Sequence, residues 1–82
     1  MMDDEIRAVL AEHARLAVDV STLGDDTDLY EVGLTSHASV NVMLALEDAF
    51  DVEFPDRMLR KSTFGSVAGI RAAIGELTQT AV

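Results

Sequence analysis

Residues 33–50 read GLTSHASVNVMLALEDAF, a glycine stop followed by a serine at the start of a predicted helix with apolar residues on two faces. At roughly 100° per residue, Val42, Met43, Leu46, Ala49 and Phe50 share one side of that helix, while His37, Val40, Leu44 and Glu47 gather on another side near Ser36. A surface helix normally hides a single apolar arc. The second arc, Val40 and Leu44, therefore reads as a docking surface beside the serine. The competing reading is a helix buried on both faces, which suits a short chain poorly because small domains rarely enclose a whole helix. Gly33 can adopt a positive φ that other residues resist, letting the chain turn sharply into Leu34 and the helix. Ser36 then falls at the expected N-cap, its oxygen exposed at the positive end of the helix, where free backbone amides favour an anion.

Composition limits what surrounds this stretch. Eighty-two residues make one domain with a small core and no room for a separate catalytic domain. A formal net charge of −9 opposes binding to nucleic acid and to anionic membranes, and makes a basic protein partner the natural complement. Without cysteine there are no disulfides and no thiolate metal sites, so the fold must stand on packing alone. The opening residues, MMDDEIRAVL, lack the basic region and long apolar run of a signal peptide or membrane span, so a cytoplasmic protein is expected.

Working outward, Asp3, Asp4 and Glu5 precede an amphipathic run and suit the positive end of a first helix. Ile6, Val9, Leu10, His13, Leu16 and Ala17 share one side, which predicts that this helix spans about residues 3–17. His13, alone on an apolar arc with no second ligand at helical spacing, is expected at a core edge. No period persists over 18–35, which reads as a long loop. It is packed down by Val20, Leu23, Leu29, Tyr30, Val32 and Leu34, since loops of this length are usually pinned or functional. Asp25, Asp26 and Asp28 lack the glycine turn and closing glutamate of a calcium loop, leaving a solvated acidic segment.

The second helix is expected over about 36–51, and Pro55 can open a short third helix over about 56–60. Arg57, Arg60 and Lys61 then form a local positive cluster, read as a mixed-charge rim ahead of contacts to a partner or phosphate. Ser62 or Thr63 is the expected cap of a fourth helix over about 63–77, with Phe64, Val67, Ala68, Ile70, Ala73, Ile74 and Leu77 on its packing face and a frayed tail from Thr78. Gly65, Gly69 and Gly75 weaken that helix unless another backbone approaches closely. The resulting fold class is all-α: one bundle of three main helices plus a short one.

Catalysis lacks its parts. There is no cysteine nucleophile, no phosphate-cradling glycine loop and no metal-binding histidine pair, and His13 and His37 lie on different predicted helices. Ser36 and His37 suggest a nucleophile and base, but adjacent helical residues project about 100° apart and no third group orients the imidazole. The chain is therefore read as a non-enzyme, with no catalytic and no metal-binding residues.

A leucine, then a serine opening a helix that ends ALEDAFDVEFPD, resembles the acyl carrier protein family. The likeness covers nearly the whole chain in length, acidity and helix order, and its specific part runs from about Asp28 to Pro55. The family serine carries covalent 4'-phosphopantetheine, and Ser36 falls on that position. The resemblance implies a phosphopantetheinyl transferase, coenzyme A as donor and magnesium during attachment. The usual Asp-Ser-Leu is replaced here by Thr35-Ser36-His37. In the family that aspartate helps attachment, so either a neighbouring acid compensates for Thr35 or the cognate transferase differs. The GLTSHASV segment is closer to the small bacterial aminoacyl carrier proteins, loaded by an amino acid:carrier-protein ligase, than to fatty-acid carriers. The expected function is thus a monomeric carrier that holds an acyl group, an aminoacyl group first, as a thioester on the arm at Ser36. Thr35, His37, Val40, Leu44 and Glu47 form its expected partner surface. A fatty-acyl or polyketide/nonribosomal-peptide-type carrier is the alternative, and an acidic interaction module without a prosthetic group is a further one.

Overall fold

The computed structural model describes residues 2–80, and its regular elements are all helical: α1 (Met2–His13), α2 (Ser36–Phe50) and α3 (Val67–Thr80), with short 3-10 turns at Val20–Thr22 and Asp56–Met58. This is the all-α bundle of three main helices, and the short helical piece between α2 and α3 amounts to a single turn. No helix among the described residues is long and apolar enough to cross a membrane.

Helix α1 starts with Asp3, Asp4 and Glu5 in its first turn, where negative charge offsets the helix dipole. Ile6, Val9 and Leu10 form its buried stripe, and the helix packs on both α2 and α3. It ends at His13 and not at Ala17 as the periodicity implied. The Ala14 N–H still reaches the Leu10 carbonyl at 3.0 Å, but Arg15 turns left-handed with φ 54° and the Ala17 N–H is taken by the Val32 carbonyl at 2.8 Å. The apolar pattern runs on because Ala14 and Leu16 still pack on the core. The loop returns against this corner at Gly33, whose φ is 116° and whose missing Cβ would lie 3.1 Å from the Ala17 nitrogen. Only glycine meets both conditions without strain.

The long loop is pinned as expected. Leu23, Leu29 and Leu34 are buried, and Val20, Tyr30 and Val32 pack against the core. Asp25 is exposed, as expected of the acidic loop, and in addition pairs with Arg7 at 3.1 Å and with Arg71 at 3.5 Å, while Arg71 also holds Asp3 at 2.8 Å. Arg7 adds a bond to the Leu23 carbonyl at 2.9 Å. The two arginines thus tie the loop to α1 and α3 in one network.

Helix α3 begins at Val67, later than the expected 63, and continues to Thr80 where a frayed tail was expected from Thr78. Residues 81 and 82 lie outside the described residues. Around the late start the backbone bonds the loop: the Gly65 carbonyl accepts the Leu29 N–H at 2.8 Å, and in the first turn of α3 the Ala68 N–H donates to the Asp25 carbonyl at 2.9 Å. Ser66, not Ser62 or Thr63, caps the helix, its Oγ accepting the Gly69 N–H at 3.0 Å. Gly69 is the close approach, with its Cβ position 3.1 Å from both the Ser62 and Thr63 carbonyl oxygens, whereas Gly75 has nothing within 4 Å. Ile6, Leu10, Leu29, Val42, Leu46, Val67, Ile70 and Ile74 make the fully buried centre, capped by an edge-to-face contact of Phe54 and Phe64 at 5.3 Å.

Candidate functional site

The site lies at the N-terminus of α2, and the cap there is Thr35. Its backbone is extended, with φ −100° and ψ 165°, and its Oγ1 accepts the Ala38 N–H at 3.0 Å. The Thr35 carbonyl then accepts the Ser39 N–H at 2.8 Å, closing the first turn. Ser36 is therefore the first residue inside the helix and not its N-cap. Two neighbouring hydroxyls competed for the cap, and the extended backbone falls at Thr35. Capping by Thr35 leaves Ser36 free: it is exposed, and its Oγ has no hydrogen-bond partner among the described residues. Its carbonyl accepts the Ser39 hydroxyl at 2.7 Å.

Down the outward side, Val40 is 50% and Leu44 is 53% exposed, while Val42 and Leu46 on the opposite arc are fully buried. At 1.5 Å rise per residue, Val40 and Leu44 stand about 6 and 12 Å along the axis from Ser36. His37 is exposed beside them. Glu47 behaves differently from the other four expected surface residues: it is partly buried, and its carboxylate accepts the Phe54 N–H at 2.9 Å. That carboxylate bridges the end of α2 to the following segment, whose corner is the left-handed Asp51. Thr35, His37, Val40 and Leu44 gather around or below Ser36, and Glu47 is held at the far end.

An open cleft of about 720 Å³ adjoins Ser36. Thr35, Ser39, Val40 and Met43 line it from α2, Tyr30 and Leu34 from the loop, and Leu59, Arg60, Lys61 and Phe64 from the turns before α3. Lys61 Nζ sits 4.7 Å from the centre of the Tyr30 ring, a cation–π contact. Partial burial raises the Tyr30 phenol above its ordinary value, against a hydrogen bond with the Ser39 side chain that lowers it and with a further push upward from Asp28. The phenol therefore stays neutral near pH 7. Sequence reasoning did not place Tyr30 or Leu59 beside the serine. A trace existed in Leu59, an apolar residue next to the buried Met58 that the core does not use: it is 46% exposed.

The family described as a phosphopantetheine attachment site matches residues 4–77. The aminoacyl carrier protein of Agrobacterium fabrum is 44% identical over 73 residues, covering 89% of this chain and 88% of that protein. Among solved structures, the chain superposes with a TM-score of 0.88 and 43% identity on a chain from a crystal structure of an engineered Bradyrhizobium japonicum glycine:carrier protein ligase complexed with a carrier protein from Agrobacterium tumefaciens and AMP, covering 90% of this chain and 99% of that one. A chain from the B. japonicum ligase complexed with glycylated carrier protein matches with a TM-score of 0.74 at 28% identity, over 87% of this chain and 95% of that one. With the family match spanning nearly all of its length, the chain belongs to the phosphopantetheine-attachment family of carrier proteins.

Proposed function

We propose that residues 1–82 form a single monomeric, cytoplasmic carrier domain whose Ser36 bears 4'-phosphopantetheine and holds an aminoacyl group for an amino acid:carrier-protein ligase. The observation that carries the attachment is the free hydroxyl of Ser36: exposed, first in α2, and relieved of capping by Thr35. The residues present fit the group. An oxygen at a helix N-terminus suits a phosphodiester, because the first-turn amides of Ser36 and His37 have no intrahelical acceptors. When bound, the arm supplies a terminal thiol that holds the cargo as a thioester. The chain's own residues orient and present: Thr35 keeps the first turn closed, and Val40 and Leu44 offer an apolar strip for the loading enzyme. Catalysis belongs to the partner enzymes.

The aminoacyl reading draws support from the 44% identical aminoacyl carrier protein and from the ligase complexes of the structural relatives. Attachment needs a phosphopantetheinyl transferase. None of the residues lining the cleft beside Ser36 is acidic, which favours a transferase adapted to Thr35 over a neighbouring carboxylate taking the aspartate's place. The test has two stages. Co-expression with a broad-specificity transferase should add about 340 Da to the intact mass, and Ser36→Ala should remove the gain. The modified protein is then offered glycine with a glycine:carrier protein ligase, or a fatty-acyl donor system. Aminoacylation is expected; long acyl groups accepted without aminoacylation would make the chain a fatty-acyl-type carrier instead.

A further inference from the structure

Charge is distributed around the Ser36 cleft against the trend of the whole molecule. The chain has 15 acidic residues against 6 basic ones, yet Arg60 and Lys61 line the cleft and no carboxylate does. The nearby Arg57 is tied to Glu76 at 2.9 Å, Arg7 to Asp25, and Arg71 to Asp3 and Asp25. Arg15, Arg60 and Lys61 have no carboxylate within ion-pair distance among the described residues, and Lys61 also borders a second, shallow cleft lined by Asp26 and Asp28. Arg60 and Lys61 both line the wall of the Ser36 cleft, where no carboxylate is present, so an anion bound there would meet two positive charges. Their backbone is fixed: the Arg60 N–H donates to the Met58 carbonyl at 2.9 Å and the Arg60 carbonyl accepts the Thr63 N–H at 3.1 Å. Lys61 is held at the cleft by the Tyr30 ring. Below them the floor is apolar, with Leu34 and Phe64 buried and Met43 packed on the core.

We propose that Arg60 and Lys61 are a seat for the phosphodiester of the arm on Ser36, which lays the first part of the arm along the cleft instead of leaving it free in solvent. The inference rests on Ser36 as the attachment residue. The cleft supplies both chemistries the occupant needs, cations for its single phosphate charge and an apolar floor for the chain beyond it. Because the seat is exposed, it is salt-sensitive: the screening length falls to about 3 Å at 1 M salt, short enough to release the arm.

The experiment uses the full-length modified protein as wild type, Arg60→Gln/Lys61→Gln and, as a control cation already tied to Glu76, Arg57→Gln. Intact mass establishes that each carries the arm, and circular dichroism that each is folded. Phosphorus NMR at low and high salt then reads the phosphodiester, and amide spectra of wild type with and without the arm read residues 60 and 61. The expected result is a wild-type phosphorus resonance that moves with salt, a double variant already at the high-salt position in low salt, Arg57→Gln like wild type, and arm-dependent shifts at amides 60 and 61. Coincident phosphorus resonances for wild type and the double variant at low salt, on protein whose mass shows the arm, would overturn the seat and leave the carrier reading standing. The same coincidence with weaker ligase binding by the double variant would assign the cations to a partner's acidic surface. No mass gain on wild type would remove both readings.

Discussion

Replacing Thr35 by alanine removes the hydroxyl that accepts the Ala38 N–H at 3.0 Å and leaves that amide without its partner in the first turn of α2. Losing such a cap costs typically about 1 kcal/mol, within a range of about 0.5–2. For a domain of this size that lowers the thermal midpoint by about 4–8 °C, measurable against a total stability of about 4–12 kcal/mol scaled from its length. Ser36→Ala should behave oppositely. Its hydroxyl caps nothing, and alanine is the better helix former by a few tenths of a kcal/mol, so the midpoint should stay within about 2 °C of wild type or rise slightly while modification is abolished. Thr35→Asp keeps a good capping oxygen and adds a negative charge at the helix N-terminus, worth about 0.3–1 kcal/mol, so it should be as stable as wild type or more so. Thermal unfolding followed by circular dichroism, with intact mass after transferase treatment, reads all three. If Ser36→Ala loses as much stability as Thr35→Ala, Ser36 shares the capping role and the separation of cap from attachment site is mistaken.

Two further outcomes follow from the packing. Val40→Asp and Leu44→Asp, at half-exposed positions, should change stability by no more than about 0.5 kcal/mol while slowing ligase loading; Leu46→Asp buries an unpaired carboxylate at a cost of several kcal/mol and should unfold the domain. Equal unfolding by all three, measured in urea, would mean that α2 has no free face. Gly75→Ala, where an added Cβ meets nothing within 4 Å, should stabilise α3 by up to about 1 kcal/mol, whereas Gly69→Ala must push apart two carbonyls at 3.1 Å and should destabilise; a stabilising Gly69→Ala would show that the approach of residues 62 and 63 to α3 is loose.

The periodic parts of this molecule were legible in the sequence, and the parts set by non-local backbone bonds were not. The two faces of α2 follow from spacing alone: Val42 and Leu46 are fully buried while Val40 and Leu44 are half exposed, because a short bundle has only one interior to offer a helix. The end of α1 at His13 and the start of α3 at Val67 escape the apolar pattern for one physical reason. The apolar pattern says which side chains seek the core, and Leu16 and Phe64 do reach it, but it does not say whether their backbone amides are bonded within a helix. Ala17 gives its N–H to Val32, and Leu29 and Ala68 bond the carbonyls of Gly65 and Asp25, across separations that no local pattern encodes. Asp25 looked like one of several solvated acids, and what distinguishes it is the convergence of Arg7 and Arg71 from two different helices.

The same limit applied to Ser36, and the difference bears on function. Thr35 and Ser36 are both acceptable caps by residue type, and only the extended backbone at Thr35, with φ −100° and ψ 165°, decides between them. Were Ser36 the cap, its oxygen would accept a backbone amide, and esterifying that oxygen would alter a bond that holds the first turn of α2. With Thr35 in that role, the arm can be joined to the Ser36 oxygen while the Thr35–Ala38 bond at 3.0 Å stays as it is. On the proposed reading, enzymes that handle the carrier without the arm and enzymes that handle it with the arm would both meet the exposed strip of Val40 and Leu44. With the cap on Thr35 and the proposed attachment on Ser36, α2 would present that strip unchanged before and after modification.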